Sequence, residues 1–391
     1  MKILLIGNYV PDGQESMLRY AQMMLRGLRR TTHDVTLVTP RAVLNPGRRG
    51  NVGIWKWIGY LDKYWAGTGE IDGAVRQADL VHICDHSNAV YVPRTPRRPY
   101  VVTCHDLLAV RGALGENTDC PASPVGRYLQ KAILSGLRRA HAVACVSRAT
   151  LGDAQRLLGA NYPGQLALIP NALNYPYRRL DAEEVRRRLA KSGISPDSSY
   201  ILHVGNDQPR KNRALVLEAF ARVCSSWSGQ LVLAGQPMQE PLRRRALSLG
   251  IEQRVIEVNK PSDELLEALY NAAHALVFPS RFEGFGWPVI EAQACGCPVI
   301  CSDRPPLTEV AGKGAILCAP DDAAAVGEAI LHLARDAAAR EALRLAGEAN
   351  AARYGPPGMI QQVLQLYSEV ARAREMSAEP CSISHDDGEI R

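Results

Sequence analysis

Two carboxylates, Glu283 and Glu291, stand eight residues apart in the string Ser280-Arg-Phe-Glu-Gly-Phe-Gly-Trp-Pro-Val-Ile-Glu-Ala-Gln-Ala-Cys-Gly-Cys-Pro298. Gly284 and Gly286 lack a Cβ, so backbone there can come close to a ligand. The amides behind them open a helix N-terminus, which can hold an anion, and Glu291 reads as opening a helix. Glu283 and Glu291 can then accept hydrogen bonds from hydroxyls at two ends of one ligand. Opposite charge comes from Gly205-Asn-Asp-Gln-Pro-Arg210-Lys211-Asn212. Its adjacent cations, a planar fork and a point charge, can neutralise a diphosphate without a metal. His105-Asp106 is a third candidate: the imidazole can reach a ligand, or Asp106 can cap a turn. A fourth is the glycine turn Gly7-Asn-Tyr-Val-Pro-Asp-Gly13, suited to phosphate or acceptor contact before a helix. It is not a GxGxxG pattern. Ser147 reads as a helix cap, and Arg148 as a partner for an anionic acceptor or a surface charge.

An apolar strand runs into most of these segments. Lys2–Gly7 precedes the glycine turn and the amphipathic helix Gln14–Arg30. Tyr100–Cys104 precedes His105, Ala142–Ser147 ends at the cap, and Asp34–Thr39 and Leu80–Cys84 are further strands. After a Pro/Asn-rich stretch at Ile169–Tyr177 the alternation resumes with Tyr200–Gly205, Gln230–Ala234, Arg254–Val258, Ala275–Pro279 and Val299–Cys301. Strands alternating with helices imply parallel sheets. Ligands of such sheets bind at the carboxyl ends of the strands. The expectation is an α/β protein of two Rossmann-like domains, 1–173 and 174–358, facing a cleft. Residues 376–391 are expected to form a disordered tail.

This pattern resembles family 4 retaining glycosyltransferases of GT-B fold, from Met1 to about Arg374. The likeness rests on the Glu-x7-Glu string, the opening strand and glycine turn, Val101–Leu107, Ala144–Thr150, Ile169–Ala172 and Leu202–Phe220. It implies a helix crossing back to the first domain, for which 359–374, after the Gly355-Pro-Pro-Gly358 break, is the candidate. It implies transfer of a hexose from a nucleotide diphosphate sugar to a glycan or lipid-linked acceptor, with retention and with neither cofactor nor metal. By resemblance, Glu283 and His105 lie at the transferred sugar and Glu291 binds the ribose. Gly13, Arg210, Lys211, Gly284, Phe285, Gly286 and Val289 complete the donor site. The family's Arg after the glycine is Asn206 here, so Arg210 is expected to supply that charge. Other readings of the same features are a nucleotide-sugar epimerase of GT-B fold and a nonenzymatic basic lipid-binding module.

Residues 1–173 carry 21 Lys and Arg against 12 Asp and Glu, a balance of +9 within a chain total of +6. Such a half suits an anionic lipid, a diphosphate-linked acceptor or nucleic acid, and no nucleic-acid motif accompanies it. Trp55-Lys-Trp-Ile-Gly-Tyr60-Leu-Asp-Lys-Tyr-Trp65 mixes Lys with aromatics. It fits a membrane interface, a sugar-binding rim or a helix packed on the core. No apolar run reaches membrane-spanning length, and the ten cysteines show no zinc spacing. The expected location is the cytoplasm, peripheral on the inner membrane face.

Overall fold

The computed structural model describes residues 1–47, 53–190, 192–195 and 198–378. Twelve strands form two six-stranded sheets. The first contains β1 (Lys2–Ile6), β2 (Asp34–Val38), β3 (Leu80–Ile83), β4 (Tyr100–Cys104), β5 (Ala142–Cys145) and β6 (Gln165–Leu168). The second contains β7 (Tyr200–Gly205), β8 (Gln230–Gly235), β9 (Val255–Asn259), β10 (Ala275–Phe278), β11 (Val299–Ser302) and β12 (Ala315–Cys318). Every strand pair is parallel.

Short apolar runs become the central strands because both sheet faces are covered. Every residue of β3, β4, β5, β10 and β11 is buried, as expected for parallel sheets packed between helices. Alternation then splits each strand between two cores. Ile3 and Leu5 enter one cluster, and Leu4 and Ile6 enter another. The inner-face cluster is continuous through both halves, from Ile3 and Met24 through Ile169 and Tyr177 to Tyr270 and Trp287. Edge strands β6 and β12 were not anticipated. Each is four residues long and mostly half-buried, so neither carries a strong apolar signal.

The strand orders fix where ligands can sit. The first sheet runs β2-β1-β3-β4-β5-β6 and the second β12-β11-β10-β7-β8-β9. Direction reverses between β1 and β3, and between β7 and β10, and a crevice opens at such points beyond the carboxyl ends.

The helix Glu15–Leu28 covers the first sheet, one to two residues shorter at each end than anticipated. The last helix runs Pro356–Ala378. Pro356 and Pro357 occupy its first turn, where the missing N–H groups cost nothing. The Gly355–Gly358 break is therefore a helix start, and the helix extends past both ends of 359–374. Residues 376–378 are helical, which corrects that part of the expected tail; the rest, from 379, lies outside the described residues. Along this helix Ile360, Val363, Leu366 and Tyr367 are buried. Ile360 packs where a Cβ on Gly27 would come within 2.5 Å of its Cδ1. The Tyr367 hydroxyl meets His82 Nδ1 at 2.5 Å, and His82 Nε2 meets Thr103 Oγ1 at 2.7 Å. The last helix is thus tied to β3 and β4. Among the described residues no helix is long and apolar enough to cross a membrane.

Candidate active site

β7 and β10 lie side by side at the reversal of the second sheet, and their loops carry the charged groups. After β7 the chain makes a short turn, Pro209–Lys211, and Asn212 takes a left-handed conformation (φ 58°). The buried Asn212 amide donates to the carbonyls of Pro279 at 3.1 Å and Pro320 at 2.5 Å. It pins the β7 loop to the loops after β10 and β12. Sequence reading missed Asn212, since no local pattern separates it from any turn asparagine.

The pinned loop places Lys211 Nζ 2.6 Å from Glu283 Oε1 and Arg210 Nη1 3.3 Å from Glu283 Oε2. All three side chains are largely buried. Burial raises the Glu283 pKa, but Lys211 and Arg210 outweigh it and hold the carboxyl below its usual range. Burial likewise pulls the Lys211 pKa down, opposed by Glu283. The Lys211 ammonium also lies over the Phe278 ring, 5.0 Å from its centre. Arg210 also donates to the Phe282 carbonyl at 3.3 Å.

Gly286 (φ 100°) caps the helix Trp287–Ala294. Glu291 was expected to open a helix; it sits in the second turn instead. The N-terminus of this helix offers less to an anion than expected. Pro288 has no N–H, and the Val289 amide is bonded to the Gly286 carbonyl at 3.0 Å. The cations nearest this loop are Lys211 and Arg210. The Val289 side chain is fully buried in the core, and Phe285 packs against Trp287 and Tyr354. Both residues support the loop from beneath.

Glu291 accepts a hydrogen bond from the Tyr270 hydroxyl at 2.9 Å. Burial raises its pKa to about 7, against the opposing effects of Arg19 and Tyr270. Arg19, from the first half of the chain, pairs with Asp263 at 2.9 Å. Arg19 and Tyr270 were not picked out from the sequence, because only the tertiary fold brings them to Glu291.

The first half supplies the opposite wall. His105 follows β4, and its Nε2 lies 3.0 Å from the Cys84 carbonyl. A carbonyl only accepts, so Nε2 carries the proton. Burial lowers the His105 pKa. The neutral ring then presents Nδ1 as an acceptor, and this buried atom has no partner among the described residues. Asp106 accepts from the Leu108 amide at 3.0 Å, so the turn-capping reading of that residue also holds. Gly284 meets this wall directly: an added Cβ would lie 1.9 Å from the His105 carbonyl oxygen. Only glycine allows that approach. Thr150 Oγ1 lies 3.4 Å from the carbonyls of both His105 and Gly284. Ser147 caps its helix by accepting from the Thr150 amide at 3.1 Å. The Arg148 amide donates to Glu309 at 3.0 Å. Gly13 (φ 64°) faces open space, with no atom within 4 Å of where a Cβ would stand.

The structure therefore brings Arg210, Lys211, Glu283 and Gly284 together against His105. Glu291 lies one helix turn deeper beside Arg19.

Comparison with known proteins agrees with this architecture. Residues 185–350 match the family described as glycosyl transferases group 1, and residues 17–175 match Glycosyltransferase Family 4. The chain is 31% identical over 294 residues to a D-inositol 3-phosphate glycosyltransferase of Frankia alni, covering 71% of this chain and 70% of that protein. It is 29% identical over 246 residues to O-antigen chain mannosyltransferase B of Escherichia coli, covering 62% of this chain and 64% of that one. Several other relatives are matched over less than two thirds of their length. Among solved structures, sucrose-phosphate synthase from Thermosynechococcus elongatus superposes with a TM-score of 0.74 at 22% identity, covering 95% of this chain and all of that one. Anabaena HepE in complex with UDP and glucose gives 0.71 at 16% identity, covering 94% and 99%. The fold is GT-B, and the chain belongs to glycosyltransferase family 4.

Proposed function

We propose that this chain transfers a hexose from a nucleotide diphosphate sugar to an acceptor hydroxyl, with retention and without a metal. The carrying observation is the buried cluster of Arg210, Lys211 and Glu283 at the reversal of the second sheet, closed by His105. Two cations side by side match a diphosphate, which gains negative charge as the sugar leaves. Fixed charges in a site that excludes water stabilise such a group without reorganisation. Donor binding would draw Lys211 and Arg210 onto the phosphates and release Glu283 towards the sugar, where its charge supports developing positive character. His105 Nδ1 would accept a sugar hydroxyl. Glu291, once ionised, would accept the ribose hydroxyls. The departing phosphate would take the acceptor proton on the same face.

The solved complexes of HepE with UDP and with UDP-glucose make a nucleotide sugar the first donor class to test. The mannosyltransferase relative favours a role in cell-surface polysaccharide or glycolipid assembly. We place the protein in the cytoplasm, peripheral on the inner membrane face, where exposed Ile54, Leu61 and Trp65 would meet lipid. Calorimetric titration with UDP, GDP and ADP tests the donor site. Saturable binding of one of them that weakens in Lys211→Ala supports it, and no binding of any rejects it.

A further inference from the structure

Glu291 is held between two helices, and both are gripped from the first half of the chain at their first residues. The helix Trp287–Ala294 carries Glu291. The helix Asp263–Ala272 carries Tyr270, whose hydroxyl donates to Glu291 at 2.9 Å. Two neighbours on the helix Glu15–Leu28 reach the starts of these helices. The Tyr20 ring lies 6.4 Å from that of Trp287, and Arg19 Nη1 lies 2.9 Å from Asp263 Oδ1.

Tyr20 fixes the register of this grip. It is buried, its hydroxyl lies 2.9 Å from Thr103 Oγ1, and its ring meets His105 edge-on at 4.7 Å. Successive residues of a helix point in fixed, different directions, so anchoring Tyr20 also aims Arg19 across the cleft. Asp263 is fixed too, since it follows the cap Ser262, whose hydroxyl accepts from the Leu265 amide at 3.3 Å. The side chains of Arg19 and Asp263 are 31% and 29% exposed, and a pair this open to water adds little stability by itself. Its place beside Glu291 is the more telling property.

The ionisable groups around Glu291 are Arg19, Tyr177, Asp263, Tyr270, Lys211 and Cys295. Burial raises the pKa values of Tyr177, Tyr270 and Cys295, which keeps them neutral near pH 7. Lys211 is paired with Glu283. Arg19 and Asp263 are left, and they act in opposite senses. Arg19 favours the ionised Glu291 carboxylate and Asp263 disfavours it.

We infer that Arg19 is a positioning residue for the nucleotide: held by Asp263, it steadies the Glu291 carboxylate for the ribose hydroxyls, so capture by the second half of the chain depends on a side chain of the first. This rests on the glycosyltransferase reading and on the ribose contact proposed for Glu291.

The test follows, by calorimetry from pH 5 to 8, the binding of whichever of UDP, GDP and ADP the unaltered chain binds best. The nucleotide's own titration is common to every protein compared, so the differences between variants carry the result. Arg19→Gln should shift the midpoint of the affinity rise upward by about one pH unit, lowering affinity at pH 7 about fivefold. Arg19→Lys, which keeps the charge, should restore most of that loss. Asp263→Asn should shift the midpoint downward, although it breaks the same ion pair. Inorganic pyrophosphate, which has no ribose, should bind Arg19→Gln and the unaltered chain alike. A merely structural bridge would make Arg19→Gln and Asp263→Asn behave alike, lowering the melting temperature and every affinity together. Midpoints that move in the same direction or not at all overturn the inference. So does an equal loss of nucleotide and pyrophosphate binding in Arg19→Gln. If Arg19→Gln does not fold, the direction of the Asp263→Asn shift decides alone. If the unaltered chain binds no nucleoside diphosphate, the glycosyltransferase reading itself fails, whereas binding with the wrong midpoints leaves that reading standing.

Discussion

Replacing Glu283 with glutamine should tighten the binding of a nucleoside diphosphate, although it removes a group proposed to act on the donor sugar. In the free protein Glu283 holds both cations a diphosphate needs, Lys211 at 2.6 Å and Arg210 at 3.3 Å. The side chains of Glu283 and Lys211 are only 7% and 13% exposed, so water screens the pair little. A hydrogen bond to a charged group contributes about 1.5–3 kcal/mol and a neutral one about 1 kcal/mol. Glutamine would therefore relieve a competition of about 0.5–2 kcal/mol, a Kd lower by roughly two- to thirtyfold. The free protein should lose stability at the same time. Removing one partner of a buried ion pair costs about 3–5 kcal/mol, and Arg210's partial exposure puts the loss at the lower end. Melting without ligand should fall, and the rise on adding nucleoside diphosphate should exceed that of the unaltered chain. Titration calorimetry and thermal melts on both proteins measure this. Equal or weaker diphosphate binding in Glu283→Gln, with unchanged circular dichroism, would refute the competition.

Lys211→Ala should weaken diphosphate binding tenfold or more while nucleoside binding changes little; equal losses for both ligands would point to general damage. Glu291 makes a pH-dependent prediction. Its pKa is raised from 4.5 to about 7, so the stability contributed by its protonated form is complete below pH 4.5 and lost as pH rises through 7. Glu291→Gln should flatten the fall in melting temperature between pH 5 and 8, and an unchanged pH profile would contradict the assignment. The proposed ribose contact would use the ionised form, so nucleotide affinity of the unaltered chain should rise over that interval and stay level in Glu291→Gln. For the membrane, co-sedimentation with anionic vesicles at low salt should exceed that with neutral vesicles and fall as salt rises. Identical pelleting with both lipids would remove the membrane from the account.

The clustering of the charged loops was legible because their residues lie in continuous strand–loop–helix strings. Glu283, Gly284, Arg210 and Lys211 each follow a buried apolar strand, and parallel topology sends all such loops to one edge. His105 also follows a buried strand, but it was singled out by the family resemblance. What the sequence hid was the set of groups that act across the fold. Tyr270 holds Glu291 from a neighbouring helix, Arg19 reaches it from the other half, and Asn212 locks three loops through one side chain. None has a spacing signature, since each depends on which helices pack together. Helix ends were misread where local rules compete. Pro356 and Pro357 looked like a break because proline ends helices, yet in a first turn it begins one. Glu291 looked like a helix start, but Gly286 with a left-handed φ caps the helix five residues earlier. The segment 55–65 read as a membrane interface, a sugar-binding rim or a helix packed on the core, with no sign of a π-helical turn. That turn, Asp62–Ala66, is held by the Tyr9 hydroxyl on Asp62 and the Tyr91 hydroxyl on the Lys63 carbonyl, both distant in sequence.

The most direct test of the central claim is proton NMR of the anomeric region while the chain turns over a nucleotide diphosphate sugar with a neutral saccharide acceptor in EDTA. The account predicts a new glycosidic signal with the donor's own anomeric configuration, absent in Lys211→Ala and formed without added metal. A product of inverted configuration, or turnover that appears only when a divalent metal is restored, would contradict it.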